Sequence, residues 1–412
     1  MSLLTELAEE HKKSGLFSEV DTGVSYPLGI PTLDQQLGFY QNITMPDGTV
    51  YKQTRLGIRA GRFAMFVGPS SSFKTSTAIT TAWNIVEPLG EDADIILWDA
   101  EGSTEPQRVM DLTGMSEYEY KQRVTRIDDP QKLDFATMLD QIKKIAEKKK
   151  SDPARYRYKT GFYDMNGNEI EHYVPTVIVG DSLMKFAANA EDLENMRGLT
   201  AAGRDAILRG QWYRNALSYM IPYNIIVIMI NHLGNAIELT PGKGGAKQLT
   251  FIPTGKNVPG GDKVVFYTDT IVVFQPVNSK DGIKTESVNG YNGVPVKVLV
   301  AKSRSGPGGV DTTLQYVQET GFDPRLTLME FAKNRDLIVG RNPSCYFASE
   351  PDVKFDTRIF LDEISNNPEV LRSLFKACKP ELEKMVRQPL DENVKIGSNI
   401  KRDVRQMMKE LL

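Results

Sequence analysis

The chain has 412 residues, 40% hydrophobic and 25% charged, an ordinary globular composition able to bury a sizeable core. At ~150 residues per domain this length suits two or three domains, or one large core with appendages. The formal net charge of −3 excludes a strongly basic nucleic-acid coat, so any nucleic-acid site must be a local patch.

In chain order, residues 2–13 read as a short amphipathic helix with Leu3, Leu4, Leu7 and Ala8 on one face, followed by a polar linker with Gly15 and Gly23. Such a stripe packs on its own domain or docks on a neighbouring subunit. From residue 30 strands and helices alternate. Phe63 to Val67 is a short buried strand and Ser76 to Val86 the helix after it. Ile95 to Trp98 is a second strand, Ala136 to Lys149 a helix, and Val177 to Val179 a third strand. Ala201 to Tyr219 is a long helix and Ile225 to Ile230 a fourth strand. Continuous apolar strands separated by helices predict a parallel sheet covered on both faces. Val264 to Phe274 and Val294 to Val300 extend that sheet as further strands.

Two segments interrupt the alternation. Residues 39–58 set a Pro46-Asp47-Gly48 turn between candidate strands. Residues 148–173 begin with Lys148, Lys149 and Lys150 and hold a hairpin around Asn166-Gly167. The lysine run reads first as a solvated face and second as a DNA contact. Beyond about residue 322 the texture changes. Leu326 to Leu337 is helical, Ser344 to Phe347 a strand, and Phe355 to Leu412 mostly helical with breaks at Pro368, Pro380 and Pro389. The expected organisation is an N-terminal segment 1–28, an α/β core 29–322 and a small, mainly helical C-terminal domain 323–412.

Cys345 and Cys378 are the two cysteines; they make no disulfide scaffold and fit a reducing cytoplasm. No Cys/His cluster has metal-ligand spacing. The N-terminus carries no apolar run of a secretory signal, and Ile225 to Ile230 is far too short to span a bilayer. A soluble cytoplasmic protein with no membrane partner is expected.

The strongest local signal is Gly68-Pro69-Ser70-Ser71-Ser72-Phe73-Lys74-Thr75, which follows a strand and opens a helix, the setting of a phosphate-binding loop. Backbone N–H groups of such a loop point inward and cradle phosphates, and the helix N-terminus at Ser76 adds partial positive charge. Lys74 is the candidate for the β/γ phosphates, and Thr75 holds Mg²⁺ through its hydroxyl. Phe73 stands where the pattern has its second glycine, which predicts a position that avoids a glycine-only backbone conformation. The bland alternative is a Ser-rich loop between strand and helix.

Asp181 ends the run Val177 to Val179 at the carboxyl edge, where α/β sheets bind ligands, and is the second magnesium anchor. Glu101 follows the strand Ile95 to Trp98 in Asp99-Ala100-Glu101 and is placed to orient water as a general base. Asn231-His232 ends the fourth strand, where a polar pair can sense the γ-phosphate; a lone His there is as often structural.

With Gly29-Ile30-Pro31-Thr32-Leu33-Asp34 and Ala60-Gly61-Arg62, these residues resemble the RecA family over roughly residues 25–345. The likeness is greatest to the UvsX branch of phage recombinases, which also has Phe before the loop lysine. The resemblance implies a RecA-like P-loop ATPase core with ATP and Mg²⁺ as cofactors. Gly68, Ser70, Ser71, Ser72, Phe73, Lys74, Thr75 and Ser76 form its phosphate loop, Glu101 is its catalytic glutamate, and Asp181 lies at its magnesium-holding strand end. Glu105 and Arg108 fall where the family contacts adenine, with a guanidinium able to stack where an aromatic ring is common. Asn231-His232 matches the switch that links γ-phosphate to DNA binding.

The stretch His232 to Gly261 is rich in Gly, Lys and Thr and resembles DNA-binding loop two. Lys243, Lys247 and Lys256 would pair phosphates there, and Phe251 would stack on or wedge between bases. Asn189 to Arg204 resembles loop one, with Arg197 and Arg204 as its basic residues. Lys302-Ser303-Arg304 aligns with two family lysines that reach the neighbouring subunit's ATP and act like arginine fingers. The implied protein is an ATP-dependent recombinase that forms a head-to-tail filament on single-stranded DNA and pairs it with duplex DNA, aided by single-strand-binding and mediator proteins. A ring helicase or translocase on the same core, and a non-hydrolysing mediator paralogue, are the alternatives.

Overall fold

The computed structural model describes residues 23–129, 132–186, 201–235, 249–276, 287–288, 291–317 and 319–387. The helix expected at 2–13, residues 189–200, Arg197, Lys243, Lys247 and Pro389 lie outside them, as does the side chain of Arg204.

A ten-stranded sheet forms the centre. Six of its strands run parallel: β1 (Phe63–Gly68), β2 (Asp94–Asp99), β3 (Val124–Ile127), β4 (Thr176–Asp181), β5 (Ile225–His232) and β6 (Thr270–Pro276), side by side in the order β6-β1-β5-β4-β2-β3. Three antiparallel strands, β7 (Tyr291–Lys302), β8 (Asp311–Val317) and β9 (Gly321–Phe322), continue the sheet beyond β6, and Ser287–Val288 pairs with β7.

Side chains along a strand alternate between faces, and both faces are apolar here. On one face Ala64, Phe66, Ile95, Leu97, Val177 and Val179 meet Ala78, Ile79, Ala82 and Val86 of α1 (Lys74–Val86), spaced along one stripe of that helix. On the other, Phe63, Met65, Val67, Trp98 and Ile178 meet Phe135, Met138, Ile142 and Ala146 of α2 (Phe135–Ser151) and Trp212, Tyr213, Ala216 and Met220 of α3 (Ala201–Tyr223). The expected covered sheet is therefore present. Phe63 anchors the second face through ring contacts with Trp212 and Tyr213.

Several expectations change. Val264 to Phe274 is not one strand. α4 (Asp262–Tyr267) precedes β6, with Val264 and Val265 buried and their neighbours Lys263 and Phe266 exposed, the spacing of a helix rather than a strand. β3 was not expected; its Val-Thr-Arg-Ile sequence is too short and polar to stand out. The lysine run is not simply a solvated face: Lys148 and Lys150 are exposed, but Lys149 is buried. Its ammonium donates to the carbonyls of Val174 at 2.7 Å and Tyr223 at 3.0 Å, and burial pulls its pKa down to about 7.

The two interrupting segments are hairpins, Phe39–Thr44 with Val50–Arg55 and Arg157–Tyr163 with Glu169–Tyr173, and they pack together. Gln53 accepts from the Tyr163 N–H at 2.7 Å and donates back to its carbonyl at 3.2 Å, and Tyr51 meets Tyr163 edge-on at 5.6 Å.

Beyond the sheet, helices Pro324–Asn334, Phe360–Asn366 and Pro368–Met385 share their own apolar cluster, including Leu328, Phe347, Phe355, Leu374 and Cys378. This part is less helical than expected, because Ile338–Val339, Cys345–Phe347 and Glu350–Phe355 form a three-stranded antiparallel sheet. Pro368 opens the last helix, where its missing N–H costs nothing, but Pro380 lies inside it and does not end it.

Candidate functional site

Parallel pairing aligns the carboxyl ends of four strands. Asp181 of β4 sits beside Asp99 of β2, and His232 of β5 beside Gly68 of β1. Gly68 is required there, since a Cβ would fall 2.6 Å from the Phe274 carbonyl oxygen. The loop after it turns through left-handed residues, Ser71 at φ 57° and Phe73 at φ 65°, ψ 18°. This corrects the expectation for Phe73: the position keeps the backbone that glycine favours, and a phenylalanine occupies it. Its ring stacks on Tyr316 at 3.6 Å between centroids and 25° between planes, which offsets the strain.

Lys74 is buried. Its ammonium donates to the Pro69 carbonyl at 2.6 Å and the Ser72 hydroxyl at 3.2 Å, and Ser72 itself donates to Pro69 at 2.7 Å. Burial lowers the Lys74 pKa, while the charges of Asp181 and Glu101 oppose that shift. Ser70 and Ser71 are exposed at the mouth of the loop. Thr75 donates to Asp181 Oδ2 at 2.6 Å. Burial raises the Asp181 pKa, with Glu101 and Asp99 adding to the rise and Thr75 and Lys74 opposing it. A hydroxyl and a carboxylate are hard oxygen donors of the kind Mg²⁺ takes beside water and phosphate oxygens, so Thr75 and Asp181 fit that ion.

Glu101 lies in the turn after β2. That turn is held by the Ala100 N–H donating to the Asp181 carbonyl at 2.8 Å, and by Asp99, which accepts from the Ser103 and Thr104 N–H groups. Glu101 Oε1 accepts from the Ser182 hydroxyl at 3.1 Å and stands 3.9 Å from His232 Nε2. Ser182 was not foreseen as a partner; its place directly after Asp181 was the available signal.

Arg108 donates to the Glu319 carbonyl at 2.8 Å and the Tyr316 hydroxyl at 3.0 Å, and that hydroxyl donates to Ser76 at 3.0 Å. Arg108 thus reaches the first turn of α1 through Tyr316, a residue sequence reasoning missed because β8 is far away in the chain. Glu105 caps the helix Pro106–Thr113 nearby and makes no side-chain cap hydrogen bond.

The strand carrying His232 leads straight into the loop-two candidate. Asn231 is fully buried; its amide accepts from the His232 N–H at 2.8 Å and donates to the Pro259 carbonyl at 2.8 Å, tying the strand end to the returning loop. Gly234–Asn235 pairs antiparallel with Lys256–Asn257 at the loop's base, and Lys256 donates to Asn235 Oδ1 at 2.7 Å. Phe251 is half-exposed over the Gly308-Gly309 turn, where a Cβ on Gly309 would come within 2.6 Å of the ring.

Lys302 and Arg304 are not with the phosphate loop. Lys302 pairs with Ile271 at the start of β6, the amino edge of the parallel strands, whereas Gly68 ends β1 at the opposite edge. Lys302 donates to the carbonyls of Val265 at 2.6 Å, Phe266 at 3.1 Å and Thr268 at 2.6 Å, and burial followed by the charge of Arg304 lowers its pKa to about 8. Arg304 donates to the Phe266 carbonyl at 2.8 Å.

No protein-family model matches the chain, and no curated protein matches it. Among the described residues no group of three or more His, Cys, Asp or Glu side chains could hold a metal ion, and no helix is long and apolar enough to cross a membrane.

Proposed function

We propose that this protein is an ATP-hydrolysing, single-stranded-DNA-binding recombinase of the RecA type, most like the phage UvsX branch. One observation carries the reading: at a single sheet edge, Lys74, the Thr75–Asp181 pair and Glu101 converge on a left-handed loop at a helix N-terminus. That set supplies cradle, cation, magnesium ligands and base for phosphoryl transfer to water.

The roles follow from the surroundings. Loop amides and Lys74 hold the phosphates. Thr75 and Asp181 would hold a magnesium ion, which would supply charge neutralisation to the phosphates. Glu101, steadied by Ser182, takes a proton from the attacking water as the water oxygen bonds the γ-phosphorus and the bond from the γ-phosphorus to the bridging oxygen breaks, that oxygen leaving with ADP. His232 stands beside Glu101, and Asn231 is bonded to Pro259, so nucleotide state at this edge is transmitted to the loop bearing Phe251 and Lys256. ATP and DNA affinities then raise each other reciprocally.

The test is strand exchange. A labelled single strand is mixed with homologous or heterologous duplex, protein and ATP, and transfer is followed by fluorescence. Transfer restricted to the homologous duplex is expected. Strand separation indifferent to homology would instead mark a helicase or translocase.

A further inference from the structure

Glu101 sits in the turn between β2 and the helix Pro106–Thr113, and Asp99 holds that turn from within. Asp99 is the last residue of β2 and is buried. Its carbonyl accepts from the Gly102 N–H at 3.3 Å, and its carboxylate accepts from the Ser103 N–H at 3.2 Å and the Thr104 N–H at 2.9 Å. A short acidic side chain at a strand end makes such bonds to the backbone just ahead of it. With the Ala100 N–H on the Asp181 carbonyl, they pin the chain on both sides of Glu101.

A buried carboxylate is costly unless a cation answers it. Here the cost is increased by like charges. Asp181 is the register neighbour of Asp99, and burial raises the Asp181 pKa while the charges of Glu101 and Asp99 raise it further. Lys74 on this edge donates to Pro69 and Ser72. Among the described residues the cation within ion-pair distance of Asp99 is Arg126 of β3, whose Nε is 3.5 Å from Asp99 Oδ2. The contact is one of charge, since Arg126 Nε makes no hydrogen bond. Strand register brings it about: Arg126 lies opposite Leu97, and Leu97 and Asp99 share a face of β2. The other end of the guanidinium is occupied, with Nη2 2.7 Å from Asp128, so the head spans two carboxylates as a point-like ammonium does not.

We propose that Arg126 is a positioning residue for the general base: it neutralises Asp99, Asp99 keeps the turn closed, and the turn holds Glu101 against Ser182 and His232. Glu101 Oε1 is 3.1 Å from the Ser182 hydroxyl and 3.9 Å from His232 Nε2. Opening the turn by ~1 Å breaks the first of these contacts, and misplacement of that size costs up to ~10² in rate. Arg126 touches none of the reacting groups. Its two ion pairs, with Asp99 and Asp128, include neither the phosphate loop nor the Thr75–Asp181 pair, so nucleotide affinity does not depend on it directly. The inference rests on the ATPase reading above and adds to it a residue from the edge strand of the sheet.

Arg126→Ala in the full chain tests it. Arg126→Gln is a second neutral variant, Arg126→Lys keeps a cation, and thermal melting checks that each folds. In the neutral variants the kcat of DNA-stimulated ATP turnover should fall roughly 10- to 10²-fold while the KM for ATP stays within a few-fold. Arg126→Lys should recover part of the loss. A purely structural defect would multiply with the loss of the base, whereas a positioning role ends with it. Adding Arg126→Ala to Glu101→Ala should therefore leave the turnover of Glu101→Ala unchanged. A further loss in the double variant overturns the proposal, as does wild-type kcat in the neutral variants or a rise in KM with kcat unchanged. Hydrogen exchange reads the turn without turnover: the Ser103 and Thr104 amides should exchange about ten-fold faster in Arg126→Ala, with those of β4 and β5 unchanged. Equal exchange at 103 and 104 overturns the proposal whatever the turnover. A wild-type chain that hydrolyses no ATP but shows this exchange difference is a failure of the ATPase reading, and the hold of Arg126 on the turn stands.

Discussion

Replacing Phe73 with glycine should destabilise this protein less than replacing it with alanine. Phe73 sits at φ 65°, ψ 18°, where a residue with a Cβ bears ~1–2 kcal/mol of strain. Its ring recovers that through the Tyr316 stack, worth ~0.5–1.5 kcal/mol, and through partial burial worth about 1 kcal/mol. Both substitutions lose the ring, about 2 kcal/mol together. Alanine keeps the strain, whereas glycine releases it and gives back ~0.4–1 kcal/mol through a freer unfolded chain. The net gap is ~1 kcal/mol in favour of glycine. Urea unfolding of the full-length variants, compared at equal m-value, reads this gap directly. Alanine as stable as glycine would refute the claim that the loop holds position 73 left-handed.

Other outcomes follow from the same geometry. Lys74→Ala should abolish ATP turnover, measured as phosphate release with single-stranded DNA present. Glu101→Ala should slow turnover by roughly 10²–10⁴ while nucleotide affinity stays within a few-fold, and normal DNA-stimulated hydrolysis would sink the general-base role. Phe251→Ala should weaken single-strand binding by ~1–3 kcal/mol, read by fluorescence anisotropy, with little change in the salt slope that phosphate contacts set. Burial holds Lys149 at about 7, far below its value in an unfolded chain. The unfolded chain therefore binds one more proton above ~pH 7, and stability rises with pH from there to ~pH 10 by up to ~1.4 kcal/mol per unit. Lys149→Met should flatten that slope, and equal slopes in urea titrations would count against the assignment.

The sheet was legible because its strands are buried on both faces and read as unbroken apolar runs; Phe63 to Val67 and Ile225 to Ile230 were placed within two residues of their ends. The phosphate loop and the acidic strand ends were legible because their residue types sit at fixed offsets from those runs. Residues 264–267 were misread because Val-Val-Phe-Tyr suits a strand, and the helix there is imposed by what it packs against. Lys149 looked solvated because a lysine run carries no mark of which member turns inward; three backbone carbonyls from two other elements decide that. Tyr316 reaches the phosphate loop from a distant strand, and no local pattern announces such a meeting.

The strand order also sets a timetable for synthesis. β1 is the second strand segment from the left of the parallel set, yet its neighbours β5 and β6 lie much later in the chain. About 160 residues separate Gly68 from Ile225, which at ribosomal speeds of ~5–20 residues per second is on the order of 10–30 seconds. During that interval Phe63, Met65 and Phe66 have neither edge of their strand paired, and an unpaired apolar strand adheres to other chains. Slowing translation before residue 225 should therefore lower soluble yield more than slowing it after residue 276, read as the soluble fraction on expression.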